Sequence, residues 1–138
     1  MAKVFKYIFL FFFGGISYVI IELLWRGKSH ASMFVLGGLC FVALGLINEK
    51  CPSCMPLTVQ MLIGTFIITL LEFIFGCFLN LYLHLNVWDY SNLPLNLLGQ
   101  VCVPYMILWF FLSPVAIIVD DYIRYMFFDE EKPHYRLI

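Results

Sequence analysis

Residues 57–83 read LTVQMLIGTFIITLLEFIFGCFLNLYL, and a single charged side chain, Glu72, interrupts them. A helix needs about 20 mostly apolar residues to cross a hydrocarbon core about 30 Å thick, because it rises about 1.5 Å per residue. The apolar run is continuous rather than alternating, so it reads as a membrane-spanning helix and not as a barrel strand. Three further stretches read the same way: about Tyr7–Trp25, a short one at about Ala31–Ile47, and about Leu97–Val119. The composition suits that solvent. Of 138 residues 63% are hydrophobic, 19% aromatic and only 12% charged, where a soluble domain is roughly 45–50% apolar and about 25% charged. A soluble globular domain and a disordered chain are both excluded, and a net charge of −1 argues against nucleic acid as a partner.

The expected architecture is all-α and integral to the membrane: four transmembrane helices arranged as two hairpins over residues 1–119. A cytoplasmic amphipathic tail over 120–138 follows, with an interfacial helix in which Asp120, Asp121, Arg124 and the 129–132 charges alternate with Tyr122, Tyr125, Met126, Phe127 and Phe128. Lys3 and Lys6 ahead of an apolar run imitate a secretory signal. Ser29 and Ala31 offer a small-x-small site, but Trp25, Arg26 and Lys28 crowd the approach to it, so an uncleaved anchor is expected. Lys3, Lys6, Lys50, Arg124, Lys132 and Arg136 fall on one side of a four-span topology, against Arg26 and Lys28 on the other. The excess of Lys and Arg predicts cytoplasmic termini in a bacterial plasma (inner) membrane, with Trp25, Trp88 and Tyr90 near the outer interface.

An offset of 50 superposes Gly14 on Gly64 and Glu22 on Glu72, and an offset of 62 superposes Ser29 on Ser91 and Gly37 on Gly99. The pattern predicts two related hairpins about a pseudo-two-fold axis along the membrane normal. Glu22 and Glu72 each lie 15 residues into their helices, roughly 22 Å from the cytoplasmic end. Carboxylates at such a depth face a bundle interior or a wet cavity. Gly15, Tyr18, Glu22 and Arg26 form one stripe, and Thr65, Thr69, Glu72, Gly76 and Asn80 another. His30 continues the first stripe, Asp89 lies on the adjoining loop, and Asn96, Gly99 and Gln100 enter at the outer end of the fourth span. Glu22, Arg26, His30, Glu72, Asn80, Asp89, Asn96 and Gln100 are therefore the expected lining of one outward-opening pocket for a substrate or ion. Thr65, Thr69 and Asn80 also suit interhelical hydrogen bonding, and Gly37, Gly38 and Gly45 suit close helix packing.

Rival chemistries find less support. Ser29, Ser32 and Ser91 near His30 lack the Gly-x-Ser-x-Gly elbow of a hydrolytic nucleophile. His30, His84 and the glutamates show no zinc-ligand spacing, so neither a metal nor a cofactor is expected. Cys51-Pro52-Ser53-Cys54 is a Cys-x-x-Cys without a second pair; redox activity at Cys51 and Cys54 stays open. No Walker A motif occurs, so nucleotide hydrolysis would need a separate ATPase subunit.

The run Glu22-x-x-x-Arg26-Gly27-x-Ser29-His30-x-Ser32-Met33, then Gly37-Gly38, Glu72 and Trp88-Asp89-Tyr90-Ser91-x-x-Pro94-x-Asn96-x-x-Gly99-Gln100, resembles the bacterial membrane family called putative ABC-transporter type IV, or CmpB-like. The resemblance covers about Gly14–Trp109, and the Trp-Asp-Tyr-Ser stretch is its specific part. It implies a small multi-span permease-like protein, and it transfers neither a catalytic residue nor a substrate. The leading expectation is a permease-like transport component, dimeric because four short helices leave little room for a path. A non-transporting subunit or scaffold of a larger complex is the alternative, and a membrane-embedded enzyme acting on lipid or envelope precursors is a third.

Overall fold

The computed structural model describes residues 2–50, 55–130, 132, 133 and 135, with the backbone alone at 2 and 48–50. Helix α1 (Ala2–Arg26) stops at Gly27, whose φ of +75° is open to glycine without strain. Helix α2 (Ala31–Lys50) starts at His30, whose ring Nδ1 accepts the Ser32 backbone N–H at 3.1 Å, one of the donors a helix start leaves unpaired. Helix α3 (Leu57–Gly76) follows Pro56, and the buried Gln60 turns its Nε2 back onto the Met55 carbonyl oxygen at 3.0 Å. It passes directly into π-helical turns over Cys77–Tyr82, after which the Leu83 N–H bonds the Phe78 carbonyl oxygen at 3.0 Å. Helix α4 (Val103–Phe127) carries Pro104 in its first turn, where no N–H is needed, and Pro114 inside. Pro114 leaves the Phe110 carbonyl without its helical donor. The Ser113 hydroxyl supplies one at 3.2 Å, which matters where no water can.

Three segments are long and apolar enough to cross a membrane: Lys3–Arg26, Leu57–Tyr82 and Val103–Phe127. The apolar part of α2, Ala31–Ile47, is shorter. Two boundaries differ from those read in the sequence. The fourth helix begins at Val103 rather than Leu97, because Leu95, Leu98 and Gly99 all adopt positive φ, which a right-handed helix cannot absorb. In its place β1 (Asn96–Leu97) pairs antiparallel with β2 (Val101–Cys102), the one departure from helix and loop among the described residues. At the other end α4 does not stop at Val119, and among the described residues no separate helix follows it: Asp120, Asp121 and Arg124 lie buried within α4, where Arg124 pairs with both acids. Charges that find a partner on the same helix need not end it. Cys51, Cys54 and Arg136 lie outside the described residues.

Helix α2 is the centre of the bundle; it packs against α1, α3 and α4, and α3 packs against α4. Lipid gives helices no hydrophobic drive to associate, so close backbone approach must supply it. Here glycine on one helix meets an aromatic ring on the other, in both directions. Gly14 and Gly15 of α1 receive Phe41 and Phe34, while Gly37 and Gly38 of α2 receive Tyr18 and Phe11. A Cβ on Gly38 would stand 2.7 Å from the Phe11 carbonyl oxygen. The outward faces carry apolar residues every fourth position: Phe12, Ile16, Ile20 and Leu24 on α1, and Leu62, Phe66, Leu70 and Ile74 on α3. Helices α1 and α4 share one cluster (Leu10, Phe41 and Ile123) and a ring contact of Tyr18 with Trp109 at 6.4 Å between centroids. Elsewhere along this seam an opening remains between them.

Gly38→Leu should force α1 off α2 and cost about 1–3 kcal/mol, the usual scale of overpacking. Ile20→Leu on the outward face should cost less than about 0.5 kcal/mol. Denaturation of the two purified variants in detergent, followed by helical circular dichroism, checks the difference.

Candidate functional site

A carboxylate in an apolar slab must find donors or a cation on neighbouring elements. Glu72 of α3 is 3% exposed. Its Oε2 accepts the Tyr90 hydroxyl at 3.0 Å and its Oε1 accepts the Trp109 indole N–H at 3.3 Å. Tyr90 comes from the loop ahead of β1 and Trp109 from α4. The Tyr90 ring stacks on Tyr105 with centroids 4.6 Å apart and planes 11° apart. Burial, and then the adjacent Glu72 charge, hold the Tyr90 phenol above its ordinary value, so it stays a donor. Among the described residues no Lys, Arg or His forms an ion pair with Glu72.

Glu22 is met differently. Arg26, one turn on, donates Nε to Oε2 at 2.8 Å and Nη2 to Oε1 at 3.1 Å, a two-point contact. Its Nη1 donates to the Val87 carbonyl oxygen at 3.3 Å, tying the α3–α4 loop to α1. Glu22 thus lies beside a cation that holds both of its oxygens, whereas among the described residues Glu72 is held by two neutral donors.

Two cavities adjoin these acids. One of about 250 Å³ lies between α1 and α4, with Leu36, Gly37, Cys40, Phe41 and Leu44 of α2 at its back and Glu72 in its wall. The other, of about 160 Å³, is lined by Glu22, Trp25, Arg26, Trp88, Tyr90 and Tyr105 among others. Both share Tyr18, Ile21, Trp109 and Leu112. On α4 their linings run from Tyr105 to Val119, about 21 Å of helix at 1.5 Å per residue.

Of the eight residues singled out in the sequence, Glu22, Arg26 and Glu72 line these cavities and the other five do not. Asn80, in the π-helical turns, donates Nδ2 to Gln100 Oε1 at 2.8 Å and accepts the Val87 N–H on Oδ1 at 2.7 Å. Gln100 closes the knot: its Nε2 donates to the Leu98 carbonyl oxygen at 3.0 Å, and its own carbonyl oxygen accepts the Trp88 indole N–H at 3.0 Å. Gly76 passes directly beneath the Gln100 side chain. Asn96 holds the tight turn through the Leu93 carbonyl oxygen at 2.8 Å and the Gly99 N–H at 3.0 Å, and Gly99 has a φ of +73°. Asp89 is exposed, and the Ser91 N–H at 2.9 Å holds its carboxyl below the ordinary value. His30 is exposed and bonded to Ser32 Oγ at 2.7 Å. Among the described residues no three His, Cys, Asp or Glu side chains are grouped to hold a metal.

Sequence reasoning missed the donors to Glu72. Trp109 offered a signal, since an indole N–H in mid-span must find an acceptor within the protein. It also missed a second buried cluster at the far end of the bundle. Arg124 donates Nε to Asp120 at 2.9 Å, Nη1 to Glu130 at 2.8 Å and Nη2 to the Gly45 carbonyl oxygen at 3.2 Å, and it pairs with Asp121. Lys6 of α1 reaches Glu130 at 2.9 Å, and the Tyr135 hydroxyl donates to Asp121 at 2.7 Å. Gly45 leaves room for the Asp120 carboxylate.

The family model described as Putative ABC-transporter type IV matches residues 5–133. The chain belongs to that family. The match extends past the 14–109 stretch that carried the resemblance and takes in the buried Asp120–Arg124 cluster. Comparisons with curated proteins and with solved structures give no match. Family membership and the three long apolar helices make this a membrane protein of a transport-related family.

Two stability measurements probe the polar knots. Asn80→Ala and Gln100→Ala should each cost about 1–3 kcal/mol, and the double variant should cost clearly less than the sum, since each leaves the other's partner unpaired. Arg124→Met should cost about 3–5 kcal/mol by stranding two buried carboxylates, and Arg124→Lys should recover only part, because an ammonium lacks the planar fork. Chemical denaturation in detergent measures both.

Proposed function

We propose that the protein is a permease-like transport component whose path follows the seam between α1 and α4, with Glu72 as its charge-selective group. One observation carries the reading: two cavities with shared walls occupy that seam, each with a buried carboxylate in its lining. Glu22 is neutralised by Arg26, so Glu72 is the acid with capacity left for a cation, a proton or the cationic group of a substrate. In this reading the protein sits in a bacterial inner membrane with both termini cytoplasmic, and the smaller cavity opens outward. Four helices form two hairpins related by a pseudo-two-fold axis, which brings Glu22 and Glu72 to one depth. Asn80, Asp89, Asn96 and Gln100 shape the outer entrance rather than touch the substrate. A homodimer would widen the path, and a separate ATPase subunit would supply energy, as the ABC-transporter family description suggests.

One feature favours the scaffold reading instead. Both Glu72 oxygens already accept internal donors, as a closed polar core in an assembly subunit would require. An enzyme acting on lipid or envelope precursors would draw on His30 with a carboxylate, and His30 lines neither cavity.

Membrane vesicles containing the wild-type protein should move at least one labelled cation from a mixed panel faster than vesicles lacking it. Glu72→Gln should reduce that flux by about tenfold or more, the worth of a contact with a charged group, at unchanged expression and helix content. Undiminished flux in that variant would exclude the mechanism, and loss of a co-purifying subunit without loss of flux would favour the scaffold.

A further inference from the structure

We infer that the larger cavity binds a lipophilic cation: an amphiphile with one apolar body and one ammonium-like centre that rests against Glu72. The inference builds on the transport reading of this site and adds the class of molecule.

Size sets the first limit. A cavity of about 150 Å³ lined by Leu, Ile and Phe holds benzene, so about 250 Å³ accommodates about ten carbon atoms by the same scale. Chemistry sets the second. Phe13, Leu36, Phe41, Leu44 and Leu112 surround the space, and its polar lining is confined to Ser17, Tyr18, Glu72 and the Trp109 indole. Ca²⁺ and Mg²⁺ take six or more oxygen ligands, and this lining offers far fewer. An alkylammonium needs only one carboxylate and apolar walls, and the faces of Trp109 and Tyr18 add cation–π attraction.

Charge sets the third. Glu72 faces the cavity with two neutral donors and, among the described residues, no cation partner. A buried carboxylate without a counter-charge is the costly half of an ion pair. A ligand that brings the cation offsets that cost, and an anion or a neutral chain does not. Access sets the fourth. Ile21 of α1 and Val115 of α4 line the cavity and are 45% and 55% exposed, so the cavity is open along these residues rather than sealed. On helices that cross a membrane, such a mouth opens to lipid, and an amphiphile already partitioned there reaches it sideways.

The test uses the full chain in phosphatidylcholine nanodiscs at neutral pH, with radiolabelled decylammonium, decanol and decanoate as probes. Saturable binding above that of empty nanodiscs is the readout. Decylammonium should bind at one site per chain, about tenfold or more tighter than either other probe, the increment of a charge-assisted contact. Glu72→Gln should abolish that preference, and Val115→Trp, which plugs the mouth from the exposed side, should remove the saturable component. Should Glu72→Gln fail to fold, the wild-type ranking and Val115→Trp still decide. Equal binding of all three probes would reduce the cavity to an apolar crevice and overturn the inference, as would the absence of saturable decylammonium binding. Flux that depends on Glu72 without decylammonium binding would sink the ligand class and leave transport standing. Binding without flux would do the reverse.

Discussion

A carboxylate enclosed in apolar surroundings cannot be left to itself, and the arrangement of three segments follows from how Glu72 is met. The Tyr90 hydroxyl and the Trp109 indole both converge on it, which pins the long α3–α4 connection against one helix and sets the depth of the other. Stacking of Tyr90 on Tyr105 makes the same loop part of the wall beside α4. Once Tyr90 is fixed, the preceding residues have little freedom. Val87 is held between Asn80 and Arg26, and Trp88 is fastened to the Gln100 carbonyl. The acid is thus a structural hub as well as the charged wall of a cavity, and those two roles impose different demands on any variant at that position.

The opening beside Glu72 follows from unequal packing. Helices α1 and α2 are drawn together wherever glycine receives an aromatic ring. Helix α4 carries no glycine at all, and its bulky Leu112, Val115 and Val119 stand where α1 would otherwise close upon it. A bundle with one tight pair and one loose seam parts along the seam. Pro114 lies in the same stretch, and the Ser113 hydroxyl repairs the backbone it interrupts, so the wall keeps its helical course beside the opening.

Hydropathy alone made the spans legible, because a bilayer imposes length and apolarity on each helix. Glu22 and Glu72 were legible as anomalies, and the Glu22–Arg26 pair as a contact one turn apart. What escaped was long in sequence range. Tyr90 and Trp109 stand 18 and 37 positions from Glu72, and no periodicity on one helix reveals a donor supplied by another element. Asn80 and Gln100 were expected in the pocket; they bond each other, and Asn80 accepts the Val87 N–H of the loop. The acidic tail misled for a simple reason. Charges at helical spacing read as a solvated face, and only the coordinates reveal that Arg124 gathers Asp120, Asp121 and Glu130 around itself. Gly45 was a quiet clue, since a missing Cβ is what admits the Asp120 carboxylate.

The two polar knots also decide where the seam can yield. At the far end Arg124 binds three carboxylates and the α2 backbone, and Lys6 brings α1 into the same cluster through Glu130. Parting α1 from α4 there would break a charged network for which lipid offers no substitute. At the loop end, Arg26 joins α1 to the α3–α4 connection by a hydrogen bond to the Val87 carbonyl at 3.3 Å, while its two bonds to Glu22 stay within α1. The loop end is therefore the weaker fastening. Between the two, the Leu10–Phe41–Ile123 cluster and the Tyr18–Trp109 ring pair hold the walls together, and such contacts re-form against an acyl chain at little cost. The seam is thus fastened more firmly toward Arg124 than beside Glu22 and Glu72.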